Sequence, residues 1–248
     1  MLYKFTLTVQ AREGLIDNCN FYVDSAQIGK EMFFDEFCTI GDFSKILKGN
    51  TLYSIGCHSY SRVAFDIKDK VGNYCSIAPS VRFFRGYQHP YTAFSTSDLL
   101  YEKDSRGGAI DTENLRKQVV LSNRRKFRMG NDVWIGDDVM CSPFITLGTG
   151  CICAARANVT KDVPPYAIVG GNPARILKYR FEDKIIEQLL ETRWTEYDIA
   201  PMKISGDIPV ENFIEEFYNY RDKGLIKPVA YKKLKSVLEK LNIEYTQV

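Results

Sequence analysis

The sequence predicts a mainly β protein, a parallel β-helix built from six-residue blocks, with one long excursion loop and a helical C-terminal extension. Three observations carry this. From Met129 to Val163 the chain returns every six residues as MGNDVW, IGDDVM, CSPFIT, LGTGCI, CAARAN and VTKDV; the same ruler fits Tyr53 to Gln88; and beyond Arg175 the period stops and helical spacing begins. A helix would place apolar residues three and four apart and a half-buried strand would alternate them, so a six-residue return with two apolar columns fits neither. Each block instead makes one flat side of a prism, and successive coils stack their inward side chains into a continuous core.

In the downstream run the first place of each block is held by Met129, Ile135, Cys141, Leu147, Cys153 and Val159, and the fifth by Val133, Val139, Ile145, Cys151, Ala157 and Val163. Upstream, Tyr53, Ser59, Phe65, Val71, Ile77 and Phe83 lead their blocks, and Cys57, Val63, Val81 and Tyr87 fill fifth places, although Asp69 interrupts the column. Further blocks around Ile28-Gly29 and Ile40-Gly41 extend the coil towards the N-terminus. The opening MLYKFTLTVQAREG alternates like a strand and lacks the basic end and apolar stretch of a signal peptide. Ile185, Ile186, Leu189 and Leu190 share one face of a helix over Phe181 to Glu191, which is expected to cover the open end of the prism. Two more helices, Val210 to Lys223 and Val229 to Leu241, follow stretches bearing Pro201, Pro209 and Pro228. The division is therefore residues 1–178 for the β-helix, with a loop inserted at about 90–128, and residues 179–248 for the helical extension.

Of 248 residues, 45% are hydrophobic and 26% charged, the composition of a globular chain long enough for one sizeable core and an appendage. A formal charge of +2 gives no global field to hold nucleic acid or an anionic membrane. No apolar run is long enough to span a bilayer, and the expected location is the cytoplasm. Cys19, Cys38, Cys57 and Cys75 are spaced close to three blocks apart, so they are expected to stack as small inward fillers and not to form disulfides. A zinc site would show tight cysteine pairs or neighbouring histidines, and Cys151 and Cys153 offer neither, so no metal is expected.

The segments Gly72 to Pro79, Gln88-His89-Pro90, Gly130 to Gly136 and Val159 to Arg175, in that order, resemble the xenobiotic-acetyltransferase branch of the hexapeptide-repeat acyltransferases, the relatives of the CatB-type O-acetyltransferases. The resemblance covers roughly residues 28–194. It implies a left-handed sense for the β-helix, acetyl-CoA as acetyl donor, and a homotrimer with active sites between subunits.

Only two histidines are present, and His89 stands where the repeat gives way to the excursion, a loop length that usually serves function. Moving an acetyl group from a thioester to a hydroxyl needs a base that titrates near neutrality. In the family the histidine at this place is that base, so the resemblance assigns the role to His89, with Gln88 where the family usually has Asn. It also implies that Asp137 and Ala155 line the pantetheine arm through main-chain groups, while Thr160, Lys161 and Arg175 meet the phosphates of coenzyme A. Ammonium and guanidinium groups suit phosphates on charge alone, though residues at a prism end can also be ordinary turn residues. Acceptor candidates are Phe84 and Tyr87 as a flat apolar floor, Arg124 and Arg125 as a basic strip beside His89, and His58 at a prism corner, where a plain corner role is the alternative. Trp134 must point outward, towards the arm or a subunit interface. Cys75 belongs to the inward column, where a thiol stays protonated, so direct attack is expected without a covalent enzyme intermediate.

The expected function is acetyl-CoA-dependent O-acetylation of a sugar hydroxyl in a surface polysaccharide or its precursor. An antibiotic acceptor, chloramphenicol or a streptogramin, is the alternative; the family's Trp-rich segment after the first helix is here reduced to Trp194, which favours the sugar. A carbonic anhydrase on this fold would need three histidines for zinc, and a non-catalytic β-helix would need no donor segment.

Overall fold

The computed structural model describes residues 1–66, 69–84, 94, 95, 97 and 127–248. His89, Tyr87, Arg124, Arg125 and most of the excursion lie outside the described residues.

The chain winds into a three-sided parallel coil. One side stacks Tyr22–Val23, Lys45–Ile46, Tyr60–Ser61, Ser76–Ile77, Trp134–Ile135, Ile152–Cys153 and Ala167–Gly171 in that order, and Ala174–Tyr179 then returns antiparallel. A second side carries Arg82–Phe83, Met140–Cys141 and Asn158–Val159. A third carries Thr39–Gly41, Ser54–Ile55 and Lys70–Val71, followed by Arg128–Met129 and Thr146–Leu147. Inward residues form columns, of which Ile46, Ser61, Ile77, Ile135, Cys153 and Val169 is one, and all six are buried. Burying each large aliphatic side chain contributes about 1.5–3 kcal/mol, so the coil is held by its stacked columns and not by any local preference of two-residue strands.

Downstream of the excursion the register is the one the repeat predicts. Trp134 pairs with Ile152 and Met140 with Asn158, each eighteen residues on. Upstream it is not. Tyr60 pairs with Ser76 and Ser54 with Lys70, sixteen residues on, and Lys45 with Tyr60, fifteen on. Val71 therefore stacks on Ile55 instead of Tyr53, and Ile77 on Ser61 instead of Ser59. The shorter coils also undo the expected cysteine stack. Ser59 Oγ accepts the Cys75 N–H at 2.9 Å, and Asn73 Oδ1 accepts the Cys57 N–H at 2.9 Å, so Cys75 sits beside Ser59 and Cys57 beside Asn73. Cys19 is not on a coil strand at all, because it ends helix α1, Val9–Cys19. All seven cysteines are buried and free.

The opening segment also departs from the strand expectation. Leu2–Thr6 is a strand paired antiparallel with Glu31–Asp35, but Thr8 then caps α1, its hydroxyl accepting the Ala11 N–H at 3.0 Å. Ala11, Leu15 and Cys19, four apart, turn one helix face into the main core. In the C-terminal part, helix α2 is Asp183–Thr192, α3 is Val210–Asp222 and α4 is Leu234–Lys240. The last is shorter than the spacing suggests, because Tyr231–Lys233 leaves the helical pattern to pair antiparallel with Thr39–Gly41. Helix α2 does not close the prism. Its Ile186 and Leu189 pack with Tyr166 and Ile214 in a cluster separate from the main core, whereas Leu234, Val237 and Leu238 of α4 join that core. Among the described residues no helix is long and apolar enough to cross a membrane.

Candidate active site

At two of its corners the coil turns through tight two-residue turns whose second residue is left-handed. One corner stacks Phe43, His58, Tyr74, Asp132, Gly150 and Tyr166, and another stacks Ser80, Asp138 and Arg156. Glycine before the turn lets one coil sit on the next. A Cβ on Gly72 would collide with the carbonyl of Gly130, and one on Gly136 would lie 2.7 Å from the Ala155 nitrogen.

The Gly136 corner carries two of the expected donor residues. Asp137 and Ala155 occupy successive rungs: the Arg156 N–H donates to the Asp137 carbonyl at 2.8 Å, and the side chain of Asp137 turns back to accept the Asp138 N–H at 3.1 Å. Both residues are exposed, so the main chain between them lines an open wall. Thr160 and Lys161 follow the strand Asn158–Val159 on the last full coil, and Arg175 lies on the returning strand, opposite Gly170. Asn158 Nδ2 donates to Asn172 Oδ1 at 2.9 Å and fixes the hairpin turn against that coil. Lys161 and Arg175 are exposed and neither is ion-paired among the described residues, Arg175 on the closing hairpin and Lys161 at the corner after Asn158–Val159. The fold thus brings Asp137 and Ala155 together, with Thr160, Lys161 and Arg175 at the coil's C-terminal end.

The acceptor candidates part company. Phe84 is the last described residue before the excursion; its N–H donates to the Cys141 carbonyl at 2.8 Å and its ring is 43% exposed. Phe83 turns inward against Phe65 and Phe127, with ring centroids 4.9 and 4.7 Å away. His58 sits in the other corner stack, its ring 5.0 Å from both Phe43 and Tyr74 and nearly parallel to each. Its Nε2 lies 3.2 Å from Asp198 Oδ1. Trp134 is 53% exposed and outward on the first side, between Ser76 and Ile152.

Asn73, Asn131 and Thr195 form an arrangement that the repeat alone does not reveal. Asn131 Oδ1 accepts the Asn73 N–H at 2.9 Å; Asn73 Nδ2 donates to the Thr195 carbonyl at 2.8 Å and Asn131 Nδ2 to Thr195 Oγ1 at 3.0 Å. The recurrence of Gly-Asn at residues 72–73 and 130–131 is the signal that could have found it. Arg180 similarly pairs with Asp132 at 2.7 Å and donates to the Gly150 carbonyl at 2.8 Å.

Cys75 is fully buried, its thiol donating to the Gly130 carbonyl at 3.3 Å, and burial pushes its pKa up to about 12, so it offers no thiolate at neutral pH. Among the described residues no three of His, Cys, Asp or Glu converge to hold a metal ion.

No family model matches the chain. The chain is 35% identical over 154 residues to a chloramphenicol acetyltransferase of Klebsiella aerogenes, covering 60% of this chain and 70% of that protein. It is 33% identical over 170 residues to a chloramphenicol acetyltransferase of Morganella morganii, covering 66% and 77%. A shorter stretch of 67 residues is 36% identical to the galactoside O-acetyltransferase of Escherichia coli K12, covering 24% of this chain and 33% of that protein.

Proposed function

The chain belongs to the family of acetyl-CoA-dependent hexapeptide acetyltransferases that includes these chloramphenicol acetyltransferases, and from that premise we propose that it transfers acetyl to a sugar hydroxyl of a surface polysaccharide or its precursor. The observation that carries the donor half is the wall at Asp137 and Ala155, backed by a glycine that leaves no room for a side chain, with Lys161 and Arg175, free of ion pairs among the described residues, towards the coil's C-terminal end. An extended pantetheine fits an open wall of main chain. The phosphates of coenzyme A fit the cations, with Thr160 offering a hydroxyl.

His89 serves as general base. As the acceptor oxygen attacks the thioester carbon, the imidazole takes the hydroxyl proton; the tetrahedral intermediate then collapses, the C–S bond breaks, and the proton passes to the departing thiolate. The enzyme works as a homotrimer with each site between two subunits. The outward apolar row Trp134, Ile152 and Ile168, aligned in register on one side of the coil, supports a subunit contact there.

The sugar is preferred on the state of Trp194. Its ring lies 5.2 Å from Tyr74 and 5.5 Å from Phe213, and its Nε1 donates to Tyr166 Oη at 3.3 Å, so it is committed to packing the C-terminal extension and not to an acceptor. His58, held by two rings and Asp198, belongs to the same packing. The names of the chloramphenicol relatives favour a drug hydroxyl as the second reading. Thiol release from acetyl-CoA across glycans, sugar nucleotides and chloramphenicol tests both. Turnover on a sugar supports the proposal; turnover on chloramphenicol alone replaces the sugar by the drug.

A further inference from the structure

One coil above the donor wall, the same corner opens into a cavity of about 460 Å³ lined by Lys48, Val63, Ala64, Ser80, Arg82 and Asp138, among others. Its placement follows from the register. Arg82 pairs with Met140, so Ser80 is the rung next to Asp138, and Asp138 is the neighbour of Asp137 on the wall itself. Arg82 also begins the strand Arg82–Phe83, from which the chain runs on to His89 seven residues later, a reach of at most about 25 Å.

The lining has a definite chemistry. Lys48 and Arg82 are exposed cations with no ion pair among the described residues, Ser80 adds a hydroxyl, and Asp138 is the single carboxylate against them. A net positive cavity with a hydroxyl donor, walled on one side by Val63 and Ala64, is suited to a planar or tetrahedral oxyanion attached to a larger body. The residues proposed above for the donor's phosphates, Lys161 and Arg175, lie instead towards the C-terminal end of the coil.

We infer that this cavity is an acceptor subsite for an anionic group, so that the sugar acetylated near His89 carries a carboxylate or phosphate held by Arg82 and Lys48. The inference rests on the donor and acceptor assignment made above, and narrows it from any sugar to an acidic one. The two sources of the anion, a uronic acid and a sugar nucleotide, share the chemistry and differ in the probe that each predicts.

The test is calorimetric titration of the full-length protein, saturated with coenzyme A, with glucuronate, glucose, uridine diphosphate and uridine. An anionic probe is expected to bind and its neutral counterpart not to. Glucuronate alone points to a uronic acid, and uridine diphosphate to a sugar nucleotide. Arg82→Gln and Lys48→Gln are each expected to weaken that probe about tenfold, Arg82→Lys less, and Lys184→Gln on α2 not at all. All three positions are exposed, and a thermal melt of each variant checks that the fold is intact. Absence of binding by both anions at millimolar concentration overturns the inference, as does binding unchanged by Arg82→Gln. The same protein's acetyl-CoA binding and thiol release on a neutral acceptor, read in parallel, report on the acetyltransferase reading separately: if they persist while the anions fail, only the subsite falls.

Discussion

The side-chain oxygen of Asn131 accepts the backbone N–H of Asn73 at 2.9 Å, joining two corners 58 residues apart on either side of the excursion. Both asparagine amides then donate to Thr195, so a single residue of the C-terminal extension grips the coil before and after the excursion. Tyr231 Oη adds a fourth contact, donating to Asn73 Oδ1 at 2.9 Å. The extension is thus built into the corner that borders the excursion.

Asn131→Ala removes an acceptor and a donor from this corner and is expected to cost about 1–3 kcal/mol, read from urea unfolding. Thr195→Val keeps the shape and removes only the hydroxyl, so its cost should be smaller, about 1 kcal/mol. Wild-type midpoints for both variants would mean that the stacked strands hold the coil without the corner bonds.

Gly72→Ala drives a methyl group into the Gly130 carbonyl across the same corner, and neither backbone can give way without breaking the stack. A loss of more than about 4 kcal/mol, or failure to fold, is expected. Gly206→Ala is the control, because nothing lies within 4 Å of its added carbon and its effect should stay within about 0.5 kcal/mol. Equal melting temperatures for the two variants would contradict the stacking.

The buried thiols give stability a sign with pH. Burial pushes Cys75 up to about 12 from the ordinary 9.0 and raises Cys38 and Cys141 further in the same direction. Above about pH 9 the unfolded chain releases thiol protons that the folded chain keeps, so this contribution is intact below pH 9 and falls as pH climbs towards 12. Native protein at pH 8 should resist a thiol-reactive disulfide until denaturant is added; rapid labelling of Cys75 in the native state would refute its burial.

How much of this was readable beforehand differs along the chain. From Met129 to Val159 every coil has eighteen residues, so first-place residues in the sequence are inward neighbours in space, and the Asp137 and Ala155 rungs follow directly. Before the excursion the corners shorten, the step falls to fifteen or sixteen, and a fixed ruler puts Tyr53 where Ile55 belongs. Helix α1 was hidden by the alternation of Leu2 to Thr6 running straight into it, although Ala11, Leu15 and Cys19 mark its face. Tyr231–Lys233 pairs with Thr39–Gly41, nearly two hundred residues earlier, and no local pattern announces so distant a partner. Thr195 is a plain polar residue until Asn73 and Asn131 are seen beside it.

Lys161→Ala and Arg175→Ala remove exposed cations that form no ion pair among the described residues. Each is expected to raise KM for acetyl-CoA about tenfold with little change in kcat, the mark of lost ground-state binding. An unchanged KM in both would move the phosphates elsewhere on the coil.

The most direct measurement is His89→Ala, with steady-state acetyl transfer and calorimetric binding of coenzyme A read on the same preparation. Loss of the base should lower kcat/KM by about 10²–10⁴ while coenzyme A binding holds within about twofold. Full turnover in the variant would contradict histidine base catalysis.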